Sequence, residues 1–194
     1  LLTADYMPRW QDRIQMNGSA FIELTPVKGL TIRSSLSVDA FDWRAHDSTS
    51  PSTPSISGAP FGIGNAGELF QRFYEWTWTN TAEYKHTWKD VHNFTALLGE
   101  ETLYRNNNSF SVTSTGITAS RFLNIAMGSE VAGGLPTYSI TQSASNSVFG
   151  RVEYNYAERY FISALLRNDA SSRFGENNRN ALFWAVAGDR KSVV

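Results

Sequence analysis

The 194-residue sequence predicts an all-β fold: an antiparallel segment of a transmembrane β-barrel, with short turns at one end of the strands and long loops at the other. Three observations predict it. Apolar residues recur with a period of two, and helical spacing is hard to find. Aromatic residues are 13% of the chain and charged residues only 18%, with no cysteine, where soluble domains carry roughly 25% charge. Short turns alternate with long polar connections, the rhythm of an outer-membrane barrel. In such a wall every second residue meets lipid and the others meet water, so a mean hydropathy of -0.32 looks soluble. An aromatic-rich soluble β-sandwich that binds carbohydrate shares this composition. Composition alone leaves the two side by side.

The first hairpin joins "GSAFIELT" to "LTIRSSLSVDAFDW". Ala20, Ile22 and Leu24 alternate on the first arm; Leu30, Ile32, Leu36, Val38 and Ala40 alternate on the second, and only Ser34 interrupts them. Pro26 to Gly29 reads as the turn. Pairing Leu24 with Leu30 and Ile22 with Ile32 puts both apolar sets on one face. The second hairpin runs from Tyr74 to Tyr84 and from Val91 to Glu101, joined by "KHTWKD". Trp76, Trp78, Ala82 and Tyr84 face one way; Glu75, Thr77, Thr79, Thr81 and Glu83 face the other. The third runs from Ser147 to Tyr156 and from Tyr160 to Asp169, through Ala157, Glu158 and Arg159. Pairing Tyr156 with Tyr160 aligns Val148, Val152 and Tyr154 with Ile162, Ala164 and Leu166. Ala181 to Gly188 starts a seventh strand.

Residues 44–73 and 102–145 read as long polar loops, and 170–180 as a shorter one. The strands come to about ten residues, the span of a tilted transmembrane strand. Tyr84, Trp88, Tyr156 and Tyr160 gather by the short turns, where an interfacial girdle would sit. An open sheet in a bilayer leaves unpaired backbone groups, so six strands and the start of a seventh read as a piece of a barrel.

Several function classes find little support. A net charge of -1 gives no basic footprint for nucleic acid. "GIGNAG", Gly62 to Gly67, matches the dinucleotide fingerprint but lacks the strand before it and the helix after it; it reads as loop. His46, His86 and His92 have no ligand spacing and read as solvated, so no metal or cofactor is expected. Glu100 and Glu101 are strand neighbours pointing to opposite faces and cannot flank one bond; no catalytic set is expected. Arg151, Glu153 and Arg167 lie on polar faces and read as an ion-pair ladder. The aromatics Phe61, Phe70, Tyr104, Phe110 and Tyr138, all in the long connections, are the candidates for contact with a substrate or a lid protein.

The stretches "VKGLTIRSSLSVD", "WTWTNTAEY", "NFTALLGEE" and "FGRVEYNYAERYFISALLRNDASSRFGENNR" resemble the SusC/RagA family of TonB-dependent outer-membrane transporters, from about Phe21 to Arg179. The run Arg167, Asn168, Asp169, Ser171, Ser172, Arg173, Phe174, Gly175, Asn177, Asn178 and Arg179 carries the family's most specific motif; Ala170 departs from it, as do Asn180 to Ala185. The resemblance implies a barrel of about 22 strands in the bacterial outer membrane, filled by a plug. It implies uptake of oligosaccharide or peptide fragments, driven through the TonB complex, with a SusD-like lipoprotein as lid. Residues 1–188 are then expected to be partial barrel. Residues 189–194, "DRKSVV", match nothing in the family. They coincide with one reading frame of a sequencing-adapter oligonucleotide, and are expected to be a non-native tail.

Overall fold

The computed structural model describes residues 8–52, 62–175 and 179–192. Its strands are β1 (Arg9–Val27), β2 (Leu30–Thr49), β3 (Gly64–Trp88), β4 (His92–Ile117), β5 (Glu130–Val131), β6 (Thr137–Tyr156), β7 (Tyr160–Ser171) and β8 (Asn180–Arg190). They form one sheet in the order β1-β2-β3-β4-β6-β7-β8, with the two-residue β5 set against β4. Seven strands follow one another as a meander, the count the sequence predicts. A sandwich needs two facing sheets; the described strands make one. No helix among the described residues is long and apolar enough to cross a membrane, which says nothing of strands.

The strands are longer than expected. β3 has 25 residues and β4 has 26, against about ten for a bilayer span. Most of 44–73 and 102–145, read as loop, is strand: β2 runs to Thr49, β3 starts at Gly64, β4 ends at Ile117 and β6 starts at Thr137. The reason is physical. The apolar alternation lapses in these segments, yet a backbone ladder continues whatever side chains it carries. "GIGNAG" likewise runs into the start of β3, with no helix after it.

The turns are tighter too. β1 continues through Pro26 to Val27, leaving Lys28 and Gly29 as the turn. That is shorter than the pairing of Leu24 with Leu30 requires. Gly29 has φ +88, and a Cβ there would meet the Lys85 carbonyl oxygen, so only glycine fits. β3 persists to Trp88, and the turn falls at Lys89 to Val91 rather than across "KHTWKD". The third hairpin matches its reading, with Tyr156 opposite Tyr160 and Phe149 opposite Arg167.

The chain divides into two compact units. The wall unit comprises Asn17–Asp39, Glu75–Arg105 and Gln142–Val194; the distal unit comprises Leu1–Met16, Ala40–Tyr74 and Asn106–Thr141. In the wall unit the ladders of β6, β7 and β8 set Val152 against Ala164 and Ala164 against Val186. This face carries Val148, Ile162, Leu166, Leu182 and Trp184, all exposed. The opposite face carries Arg151, Glu153, Ser163 and Arg167. Asp189 and Arg190 continue β8, opposite Phe161 and Tyr160; a backbone ladder of this kind forms with any side chains.

Candidate functional site

In the wall unit the polar face is tied by charge. Arg167 donates from Nε to Asp169 Oδ1 at 2.6 Å and from a terminal nitrogen to Glu101 Oε1 at 3.2 Å. Glu101 also accepts from Thr79 Oγ1 at 3.4 Å, and Arg105 donates to Glu75. Arg151 pairs with Glu153 at 3.4 Å. The expected ladder of Arg151, Glu153 and Arg167 therefore splits: Arg167 belongs with Glu101, 66 positions earlier, a pairing no local pattern reveals. Packing is close on this face. A Cβ on Gly99 would meet the Phe149 ring at 2.4 Å, and Arg167 lies 5.4 Å from that ring's centroid.

On the other face, at the short-turn end, Tyr84, His86, Trp88, His92, Tyr154, Tyr156 and Tyr160 form a run of rings, with centroids 5.1 to 6.5 Å apart. Alternation sets them on the face of Val152 and Leu98. His92 Nδ1 lies 2.7 Å from the Tyr154 hydroxyl. His86 is exposed, as the sequence reading has it, while stacking between Tyr84 and Trp88; His92 is half-buried among Trp88, Tyr154 and Tyr156, where a flat, polar-edged ring suits a layer of tyrosines and tryptophans.

The distal unit has two contrasting faces. One carries Arg13, whose guanidinium lies 4.3 Å over the Phe41 ring. Phe41 stacks on Phe73 at 5.2 Å and 20°. Gln71 Nε2 donates to Asn107 Oδ1 at 2.9 Å. Gln11, Arg13, Phe41, Trp43 and Gln71 line a cleft of about 550 Å³. Along β2, Phe41 and Trp43 share the parity of Arg33, Ser35, Ser37 and Asp39, the polar set of the sequence reading. Cation, stacked rings and amides on one face suit a ligand with both apolar and polar parts.

The second face carries Asp42, which receives two 2.8 Å hydrogen bonds from Arg72. Hydrogen bonding from Arg72 holds the Asp42 carboxyl below the usual carboxylate range. The Phe70 ring lies 5.8 Å from the Arg44 guanidinium and 5.5 Å from that of Arg72.

The five candidate aromatics fall as follows. Phe61 lies outside the described residues. Phe70 is in β3 between two arginines. Tyr104 is in β4 of the wall unit and stacks on Trp76 at 6.1 Å. Phe110 in β4 and Tyr138 in β6 are exposed. All four described candidates are strand residues, and each shares the parity of the apolar face of its own strand: Trp78 for Phe70, Leu98 for Tyr104 and Phe110, Val148 for Tyr138. Phe73 escapes the sequence reading because it lies at the end of a stretch read as loop, Arg13 because it precedes the first strand read, and Phe41 and Trp43 because they lie on the polar parity of a strand arm. The alternation of Phe41 and Trp43 with Asp42 and Arg44 was the available signal. Among the described residues, no three His, Asp or Glu side chains gather to hold a metal ion.

No protein-family model matches the sequence. Two curated relatives come from Formosa agariphila. TonB-dependent receptor P26 is 29% identical over 179 residues, which are 88% of this chain and 17% of that receptor. TonB-dependent receptor P39 is 26% identical over 169 residues, 86% of this chain and 16% of that receptor. Among solved structures, the RagAB peptide transporter superposes with a TM-score of 0.87 at 31% identity, covering 96% of this chain and 20% of its own. The RagAB peptide importer in its open-open state gives a TM-score of 0.88 at the same identity and coverage. This chain thus spans about a fifth of the length of the proteins it matches. These likenesses, and an all-β sheet with one apolar and one ion-paired face, match the chain to a fragment of the barrel wall of TonB-dependent receptors such as the RagAB transporter.

Proposed function

We propose that the protein containing this chain imports oligosaccharide or peptide fragments across the bacterial outer membrane. It works with a SusD-like lipoprotein lid, is energised through the TonB complex, and catalyses no reaction. The observation that carries this reading is the 31% identity to the RagAB peptide importer over 96% of this chain. In this account the wall unit seals against lipid on one face and lines the passage with the network of Arg167, Glu101 and Asp169 on the other. Residues 1–188 serve as barrel; residues 189–194 take no part.

Within that reading the surface of Arg13, Phe41, Trp43 and Phe73 takes the substrate, since its parity is that of the polar face. Phe70, Tyr104, Phe110 and Tyr138, at the parity of the apolar face, serve for contact with the lid or with lipid headgroups, and Phe61 is assigned with them. The test uses the full-length receptor with its lipoprotein in intact cells. The double variant Phe41→Ala/Phe73→Ala should cut uptake of a labelled peptide or oligosaccharide at unchanged surface amount, whereas Phe110→Ala should weaken lipoprotein co-purification. Unchanged uptake in the double variant contradicts the assignment.

A further inference from the structure

In the distal unit the imidazole of His46 is enclosed. The residue is 8% exposed, and the Trp10 indole stacks on it at 5.6 Å and 12°. Both ring nitrogens are engaged. Nδ1 lies 2.7 Å from Glu68 Oε1, and Nε2 lies 3.3 Å from Ser48 Oγ. Ser48 is 1% exposed, and its hydroxyl donates to the Pro8 carbonyl oxygen at 3.2 Å. Serine, histidine and a carboxylate in a row suggest a hydrolytic triad. Here the hydroxyl is buried and its proton is directed at a carbonyl, so Ser48 is no nucleophile.

Counting protons gives a different role. A carboxylate and a carbonyl oxygen only accept, and a hydroxyl has one proton to give. With that proton on Pro8, Ser48 Oγ can only accept from His46, so Nε2 carries a hydrogen. Nδ1 must carry one as well, to reach the Glu68 carboxylate. The complete network therefore requires an imidazolium. A neutral ring has one N–H, fixed on Nδ1 by Glu68. Nε2 is then an acceptor, and the Ser48 hydroxyl must turn from Pro8 toward it. Pro8 O keeps the backbone donor Ser48 N at 3.1 Å but loses the side-chain donor.

We propose that His46, Glu68 and Ser48 form a proton-operated clasp: protonated His46 frees the Ser48 hydroxyl to hold the start of β1 against β2, and deprotonation withdraws it. Among the described residues, the charged and titratable neighbours are these. Glu68 on β3 bonds the ring directly. Arg9 and Asp47 line the same cleft as His46. Asp12 on β1, Arg44 and Asp42 on β2 and Arg72 on β3 share its face by alternation, and Asp42 is held by Arg72.

The test is amide hydrogen exchange in the full-length receptor in lipid nanodiscs, followed in peptides spanning residues 8–16. Rates are corrected for intrinsic pH dependence and compared at pH 5.5 and 8.5. Protection in the wild type should fall about fivefold toward the alkaline side, the loss of one hydrogen bond. His46→Gln, neutral at both pH values, should show no step. If that variant does not assemble, Ser48→Ala decides: it keeps the histidine but has no hydroxyl to redirect, so the step should vanish. Equal protection at both pH values in the wild type, or a step of wild-type size in either variant, overturns the clasp.

Discussion

The indole N–H of Trp78 donates to the Ser34 hydroxyl at 2.9 Å, on the face that also carries Ile32 and Leu36. Between Leu30 and Ala40, Ser34 is the one residue that breaks the apolar alternation of β2, and Trp78 explains it. A tryptophan N–H facing hydrocarbon needs a partner. Ser34→Ala should therefore destabilise the full-length receptor by about 0.6–1 kcal/mol. Trp78→Phe in the Ser34→Ala background should add less than it does alone, because the unpaired donor is gone. Heat-modifiable mobility in detergent gel electrophoresis measures both; additive effects would remove the hydrogen bond from the account.

Gly99 faces the Phe149 ring, and an added Cβ would stand 2.4 Å from it. Gly99→Ala should force the ring aside, disturb the seat of Arg167, and cost about 1–3 kcal/mol. Phe149→Leu should relieve part of that cost in the double variant. Midpoints of urea unfolding in nanodiscs for the single and double variants check this.

The wall was legible in the sequence where one face meets hydrocarbon. Strict alternation on both arms and a three-residue turn made the pairing of Tyr156 with Tyr160 readable. Past Ala40 the pattern fails: Trp43, Ala45 and Asp47 alternate with Arg44, His46 and Ser48, and neither set is apolar throughout. The strand continues there on its backbone ladder and on cross-strand side-chain pairs such as Asp42 with Arg72 and His46 with Glu68. The site was less legible still. Arg13 on β1 meets Phe41 on the neighbouring β2, and Arg167 on β7 reaches Glu101 on β4 with β6 between them; no local window spans either pair. The candidate aromatics were chosen for lying in loops; once those loops are strands, parity decides which way each faces.

The Asp42 carboxyl, held low by Arg72, sets a pH window in the distal unit. A group whose folded value is depressed adds stability above its unfolded value of about 3.9 and loses it as pH falls through the lower folded value. Exchange protection in residues 40–49 and 62–74 should be flat from pH 7 to 5 as far as this pair is concerned, and should drop below about 4. Asp42→Asn should lack the acid step. A drop of equal size in Asp42→Asn would assign it to another carboxylate.

The central claim is that one face of the wall unit meets lipid and the other does not. Arginine scanning in the full-length receptor tests it most directly, by the fraction assembled in the outer membrane. Leu36→Arg and Ile162→Arg lie on the apolar face, where an arginine near mid-bilayer costs about 2–4 kcal/mol, and both should impair assembly. Ser35→Arg and Ser163→Arg lie on the polar face, the latter opposite Glu153, and both should assemble as the wild type does. Equal assembly of all four variants would contradict the assignment of the faces.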